Sequence, residues 1–282
     1  MKKVLIFFAI IFAAIAILSL IHTALDKGAL GDRVALVKIT GVIINSTDII
    51  DELKEYREND SVKAVVLRIE SPGGAVAPSQ EIYEEVRKLK ESKKVIVSMG
   101  TVAASGGYYI AAPADMIVAN AGTLTGSIGV IMEIPDISGL MEKIGVKAQV
   151  IKSGKHKDLA SIYKTITPEN RLILQDVLDD VHAQFISAVA EGRGMTFEEA
   201  KQLSDGRIFT GKMAKEIGLV DEIGNQQYAI RLAGELSGIE GEPKVISKEK
   251  EMSIFDLLKG RFTGRLLSDT ISGVSLKYIF SP

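Results

Sequence analysis

The chain has 282 residues, with 34 Lys+Arg against 36 Asp+Glu and a formal charge of −2, a balance that argues against a general nucleic-acid binder. With 46% hydrophobic and 25% charged residues, it is neither a disordered chain nor a polytopic membrane protein. The absence of cysteine excludes disulfides, thiolate metal sites and a cysteine nucleophile together.

Behind Lys2 and Lys3, residues Val4 to Ile21 form an uncharged run whose only polar member is Ser19, close to the ~20 residues that a bilayer's hydrocarbon core requires. The two lysines predict a cytoplasmic N-terminus and an extracytoplasmic remainder. Leu18-Ser19-Leu20-Ile21 lacks a small-x-small cleavage site, so the run reads as a retained anchor rather than a cleaved signal peptide. The expected organisation is an anchor over 1–22, a polar glycine-containing linker over 23–32, a folded domain over 33–242 and an amphipathic tail over 243–282.

Within the folded domain, apolar β-rich runs alternate with helical patterns. Strands are predicted at Val34 to Ile44, Ala64 to Ile69, Val95 to Met99 and Met116 to Ala119, with two more at Gly129 to Met132 and Ala148 to Ile151. Helices are predicted at Asp48 to Arg57, Ser79 to Leu89, Pro168 to Glu191 behind the N-cap Thr167, and Thr196 to Leu203, where Glu199 completes a capping box. This rhythm is that of an α/β protein. The tail carries the charged run Lys248-Glu249-Lys250-Glu251, ends in Tyr278-Ile279-Phe280, and is expected to be peripheral, packing on a neighbouring copy.

Three segments could carry chemistry. Ser71-Pro72-Gly73-Gly74 lies between a strand and a helix; alone it reads as a tight turn, while its free backbone N–H groups could stabilise an oxyanion. In Thr101-Val102-Ala103-Ala104-Ser105-Gly106-Gly107-Tyr108, small neighbours would let a substrate backbone approach one hydroxyl, with the Gly106 N–H beside any anion formed there; close helix packing or an N-cap is the plainer alternative. Gly122-Thr123-Leu124-Thr125-Gly126-Ser127-Ile128-Gly129-Val130 suits tight sheet corners, or offers the Ser127 hydroxyl to orient a neutral amine.

A serine nucleophile needs a base. The histidines are His22, His156 and His182, the first at the membrane edge and the last inside an amphipathic helix. Lys152, Lys155 and Lys157 crowd around His156. A lysine serves as a base only where burial lowers its pKa, and a solvated basic loop is the bland reading of the segment. Acidic residues and histidines do not cluster at ligand spacing, so neither a metal nor a cofactor is expected.

Taken in order, these segments resemble the signal peptide peptidase A family of membrane-anchored serine peptidases. The resemblance runs from about Val34 to Gly224 and includes Lys152-Ser153-Gly154-Lys155-His156-Lys157-Asp158, Asp205-Gly206-Arg207-Ile208-Phe209-Thr210-Gly211 and Gly218-Leu219-Val220-Asp221. It implies a Clp protease/crotonase-like spiral of ββα units, with Ser105 as nucleophile, Lys157 as general base and Ser127 positioning the lysine. The implied oxyanion donors are the backbone N–H groups of Gly74 and Gly106, Gly73 being the second choice to Gly74. The short form of the family implies a ring- or dome-shaped homo-oligomer in which Ser105 and Lys157 meet across a subunit boundary, and substrates that are signal peptides and other extended apolar peptides. The absence of histidine between Ser105 and His156 disfavours a Ser-His-Asp protease of the same fold group. A coenzyme-A-dependent hydratase or thioesterase leaves the anchor unexplained. A stomatin-partnering Ser-Lys peptidase and a non-catalytic membrane-tethered scaffold are the remaining alternatives.

Overall fold

The structure, a computed structural model, describes residues 12, 13, 15, 17, 31–248 and 277–279. The N-terminal apolar run thus lies outside the described residues except at four helical positions, as do most of the linker and much of the tail. Among the described residues no helix is long and apolar enough to cross a membrane.

Strands with an unbroken apolar run need cover on both faces, which parallel sheets receive from their crossover helices. Strands β1 (Arg33–Thr40), β2 (Val62–Ser71) and β4 (Lys94–Ala104) are of this kind and pair in parallel, with β2 between the other two. The short β3 (Gly73–Ala75) follows β2 and leaves the main sheet. Alternate side chains of the central strands serve different cores. Val34, Leu36, Ala64, Val66 and Ile96 pack with Ala229, Ile230 and Ala233 of the later helix Gln226–Leu236. Ala35, Val37, Val65, Leu67, Val95 and Val97 join the larger core, which also takes Leu53 and Tyr56 from α1 (Thr47–Glu58) and Ile82, Val86 and Leu89 from α2 (Val76–Lys90).

β4 divides its pairing. Ile96–Met99 pair with β5 (Met116–Ala119), whereas Val102–Ala104 pair with β6 (Leu124–Gly126). The ladder to β6 therefore continues to the residue before Ser105, five positions beyond the predicted end of the strand. Its small residues hide this from the sequence: the Thr125 hydroxyl donates to the Ala103 carbonyl at 2.7 Å and that of Thr123 to the Gly100 carbonyl at 2.7 Å, supplying contacts that large side chains would otherwise make.

Beyond α3 (Gly106–Ala111), β5 and β6, the chain makes one short helix, α4 (Ser138–Lys143), before the long α5 (Pro168–Arg193). The strands expected at Gly129 to Met132 and Ala148 to Ile151 do not form; only Ile131 makes an isolated bridge. The caps read from the sequence are present: Thr167 accepts from the Asn170 N–H, and Thr196 and Glu199 form the capping box of α6 (Phe197–Gln202). β7 (Ile208–Thr210) closes on β6 antiparallel, and α7 (Gly211–Glu216), β8 (Glu222–Ile223), α8 (Gln226–Leu236) and β9 (Lys244–Ile246) complete the body.

The described part of the tail is not peripheral. Residues Lys277–Ile279 form β10, paired antiparallel with β3 so that Tyr278 faces Gly74.

Candidate active site

Ser105 sits at the turn from β4 into α3 with φ 52° and ψ −117°, backbone geometry that costs a non-glycine residue about 1–3 kcal/mol. Two hydrogen bonds hold it there: its N–H donates to the Gly126 carbonyl at 2.8 Å, and its own carbonyl accepts from the Tyr109 N–H at 2.8 Å. The side chain does not cap α3, so the plainer N-cap alternative is not realised. The hydroxyl has no hydrogen-bond partner among the described residues, although the residue is 1% exposed.

Ser127 directly follows β6 in a similar state, with φ 51° and its N–H donating to the Arg207 carbonyl at 2.8 Å. Because Ala104 pairs with Gly126, the two strained serines stand at neighbouring strand ends.

The Ser71-Pro72-Gly73-Gly74 turn is pinned by the Ser71 hydroxyl, which donates to the Gly41 carbonyl at 2.6 Å and accepts from the Gly73 N–H at 3.1 Å. Gly73 has φ +100°, open only to glycine at low cost. This turn meets the start of α3: a side chain on Gly106 would lie 3.2 Å from the Gly74 amide nitrogen and 3.2 Å from the Tyr278 carbonyl oxygen. Gly74, Gly106 and the Tyr278 carbonyl thus converge beside Ser105.

β10 lies between two partners. The N–H and carbonyl of Lys277 both bond to Ile131, at 3.3 and 3.2 Å, and strand alternation turns the polar groups of Tyr278 toward β3. The Tyr278 ring is fully buried. It stacks on Tyr109 at 5.2 Å and tilts against Phe185 at 4.7 Å, while its hydroxyl donates to the Val181 carbonyl of α5 at 3.2 Å. Burial pushes the phenol pKa of Tyr278 upward, as it does those of Tyr109 and Tyr83, the last to about 12. The ring therefore stays a neutral donor. Truncating it forfeits most of this burial, so Tyr278→Ala is expected to undock β10 and raise amide hydrogen exchange at Gly74, the β3 residue that Tyr278 faces, more than about tenfold. Unchanged protection would show that the ring does not hold the strand.

The structure does not bring Lys157 to these groups. It is exposed, and its side chain makes neither a hydrogen bond nor an ion pair among the described residues. Its neighbours are engaged: Asp158 takes Lys152 at 2.5 Å and Lys164 at 2.8 Å, hydrogen bonds that hold its carboxyl at about 2. Lys155 pairs with Glu169 at 2.6 Å, and half-buried His156 lies 3.4 Å from the Asn170 side chain. His22 is outside the described residues. Sequence reasoning missed the aromatic pocket of Tyr83, Tyr109 and Phe185 together with its occupant; the terminal Tyr278-Ile279-Phe280 cluster was the available signal.

A family model described as peptidase family S49 matches residues 87–240, a span that holds Ser105, Ser127 and Lys157. The chain belongs to peptidase family S49. A relative from Synechocystis sp., described as a putative protease, is 44% identical over 210 residues, covering 74% of this chain and 76% of the relative. The chloroplastic serine protease SPPA of Arabidopsis thaliana is 35% identical over 85% of this chain and 39% of its own length, and Protease 4 of Salmonella typhi is 35% identical over 76% and 34%. The chain is therefore a protease of the S49 family, in a short form with a mixed α/β fold and a mostly parallel sheet.

Proposed function

We propose that the protein is a membrane-anchored serine endopeptidase with a Ser105–Lys157 dyad, acting on signal peptides and other extended apolar peptides. The observation that carries this reading is β10: an extended segment already lies antiparallel to β3, its carbonyl beside Gly74 and Gly106 and its apolar side chain in a closed pocket. A substrate would add to β3 in the same way. The Gly74 and Gly106 N–H groups would then meet the oxyanion formed when Ser105 attacks. The divided pairing of β4 also agrees with the Clp protease/crotonase-like spiral.

In the mechanism, neutral Lys157 takes the Ser105 proton, the alkoxide attacks the peptide carbonyl, and the resulting ammonium protonates the leaving amine. Water, activated by the same lysine, then resolves the acyl-enzyme. Ser127 holds the amine in place. A lysine can do this only where desolvation disfavours its ammonium, and within one chain Lys157 is exposed. We place it instead in the site of a second copy. The stretch leading to it displays Leu140, Ile144, Val146, Val150 and Ile151 to solvent, an apolar surface suited to a like neighbour in a homo-oligomer. The run Val4 to Ile21 anchors each copy in the membrane, with the catalytic domain on the extracytoplasmic side.

Mixing the two inactive variants tests this reading. Ser105→Ala and Lys157→Ala proteins, co-assembled in equal amounts, are expected to regain about a quarter of native cleavage of an apolar fluorogenic peptide, because a site needs one intact group from each of two neighbours. A mixture that stays inactive, with assembly verified, would place both groups in one chain or remove the dyad.

A further inference from the structure

We infer that His182 defines a polar subsite for the side chain that follows the scissile bond, selecting a hydroxyl or carboxamide there. The inference deepens the peptidase reading and rests on it. It starts from α5, which touches the docked strand twice. Val181 receives the Tyr278 hydroxyl, and the next residue, His182, lines a cavity of about 550 Å³. Ser127 and Ile279 border the same cavity. If the Tyr278 carbonyl marks the bond under attack, Ile279 occupies the first position beyond it.

The cavity does not suit the isoleucine now facing it. Leu178 and Val130 give it apolar wall, but Asp179, Ser204 and His182 add polar groups. The decisive one is His182, whose Nε2 is buried and has no hydrogen-bond partner among the described residues. A buried polar atom left unpaired carries the full cost of its desolvation. Asp179 accepts from Gln175 at 2.7 Å and makes no hydrogen bond to the His182 Nε2. Imidazole presents Nε2 as donor or acceptor according to its tautomer, so the matching ligand is a group that both donates and accepts. A threonine, serine, glutamine or asparagine side chain at the Ile279 position meets that requirement; an aliphatic one leaves the nitrogen unpaired.

The test uses the full chain and the isosteric pair Ile279→Thr and Ile279→Val, read by hydrogen exchange of the β10 and β3 amides, which reports strand docking without any turnover. The threonine tail is expected to exchange about three- to tenfold more slowly than the valine tail, the value of one neutral hydrogen bond. Adding His182→Phe should erase the difference, and His182→Gln should keep part of it. Equal exchange of the two tails overturns the proposal, as does a difference that persists in His182→Phe, which would assign the hydroxyl's partner elsewhere. Matched peptides carrying Thr or Val after an aromatic residue separate this idea from the peptidase reading. Preference for Thr in kcat/KM by a similar factor supports both, whereas equal cleavage of the two removes the subsite and leaves the peptidase. Cleavage of neither, with the exchange difference intact, removes the peptidase and leaves the subsite.

Discussion

Ser105→Ala is expected to abolish peptide cleavage, lowering kcat/KM by about 10³-fold or more, and Lys157→Ala to do the same; the double variant should be no worse than either alone, because groups that act as one unit are not additive. Neither change threatens the fold. Alanine keeps the Cβ that Ser105 already carries at φ 52°, so no new backbone strain arises, and the lost hydroxyl leaves no described partner behind. Lys157 is an exposed residue without an ion pair among the described residues, where substitution stays within about 0.5 kcal/mol. Cleavage kinetics beside urea unfolding therefore separates chemistry from stability. Activity surviving in Lys157→Ala would move the base to Lys155 or His156.

Gly73→Ala is expected to empty the cleft. At φ +100° a side chain is strained from the outset, and the added Cβ would overlap the Tyr278 carbonyl oxygen and stand 2.7 Å from the Gly106 nitrogen. Strain of about 1–3 kcal/mol is the smaller part of the effect. The larger part is that the methyl occupies the seat of the docked carbonyl, whether it belongs to the tail or to a substrate. Peptide cleavage should fall by at least about 100-fold, and β10 should lose its exchange protection at the same time. Gly74→Ala fails differently, because its Cβ would run into the Ile43 backbone, which belongs to the body of the protein. Normal cleavage by Gly73→Ala would mean that substrates do not lie where β10 lies.

The central strands, the helices and their caps were legible in the sequence because each carries a local cause: unbroken apolar runs, a threonine before Pro168, a glutamate three residues after Thr196. The two strands expected between Gly129 and Ile151 had the composition but no partner. A strand exists only through a ladder, and within one chain that stretch offers Ile131 alone to β10. The reverse error occurred at β4, whose last residues are too small to look like strand and are held by hydroxyls on β6. Ser105, Ser127, Gly74 and Gly106 could be picked out in sequence because glycines and small residues flank them. Their convergence was not legible, since it depends on a turn and a helix start that lie far apart in the chain. Lys157 is the opposite case: named by its motif, it stands in solvent when one copy is considered alone.

On the proposed reading of substrate addition to β3, the seat taken by β10 makes occupancy of the cleft exclusive. Tyr278 and any incoming peptide would compete for the same edge of β3 and the same aromatic pocket, and the tail arrives tethered, at an effective concentration on the order of millimolar. A free substrate at micromolar level competes at a disadvantage set by that ratio. The KM of the whole protein would then measure a displacement rather than a binding step, and tail variants would shift KM while leaving kcat in place.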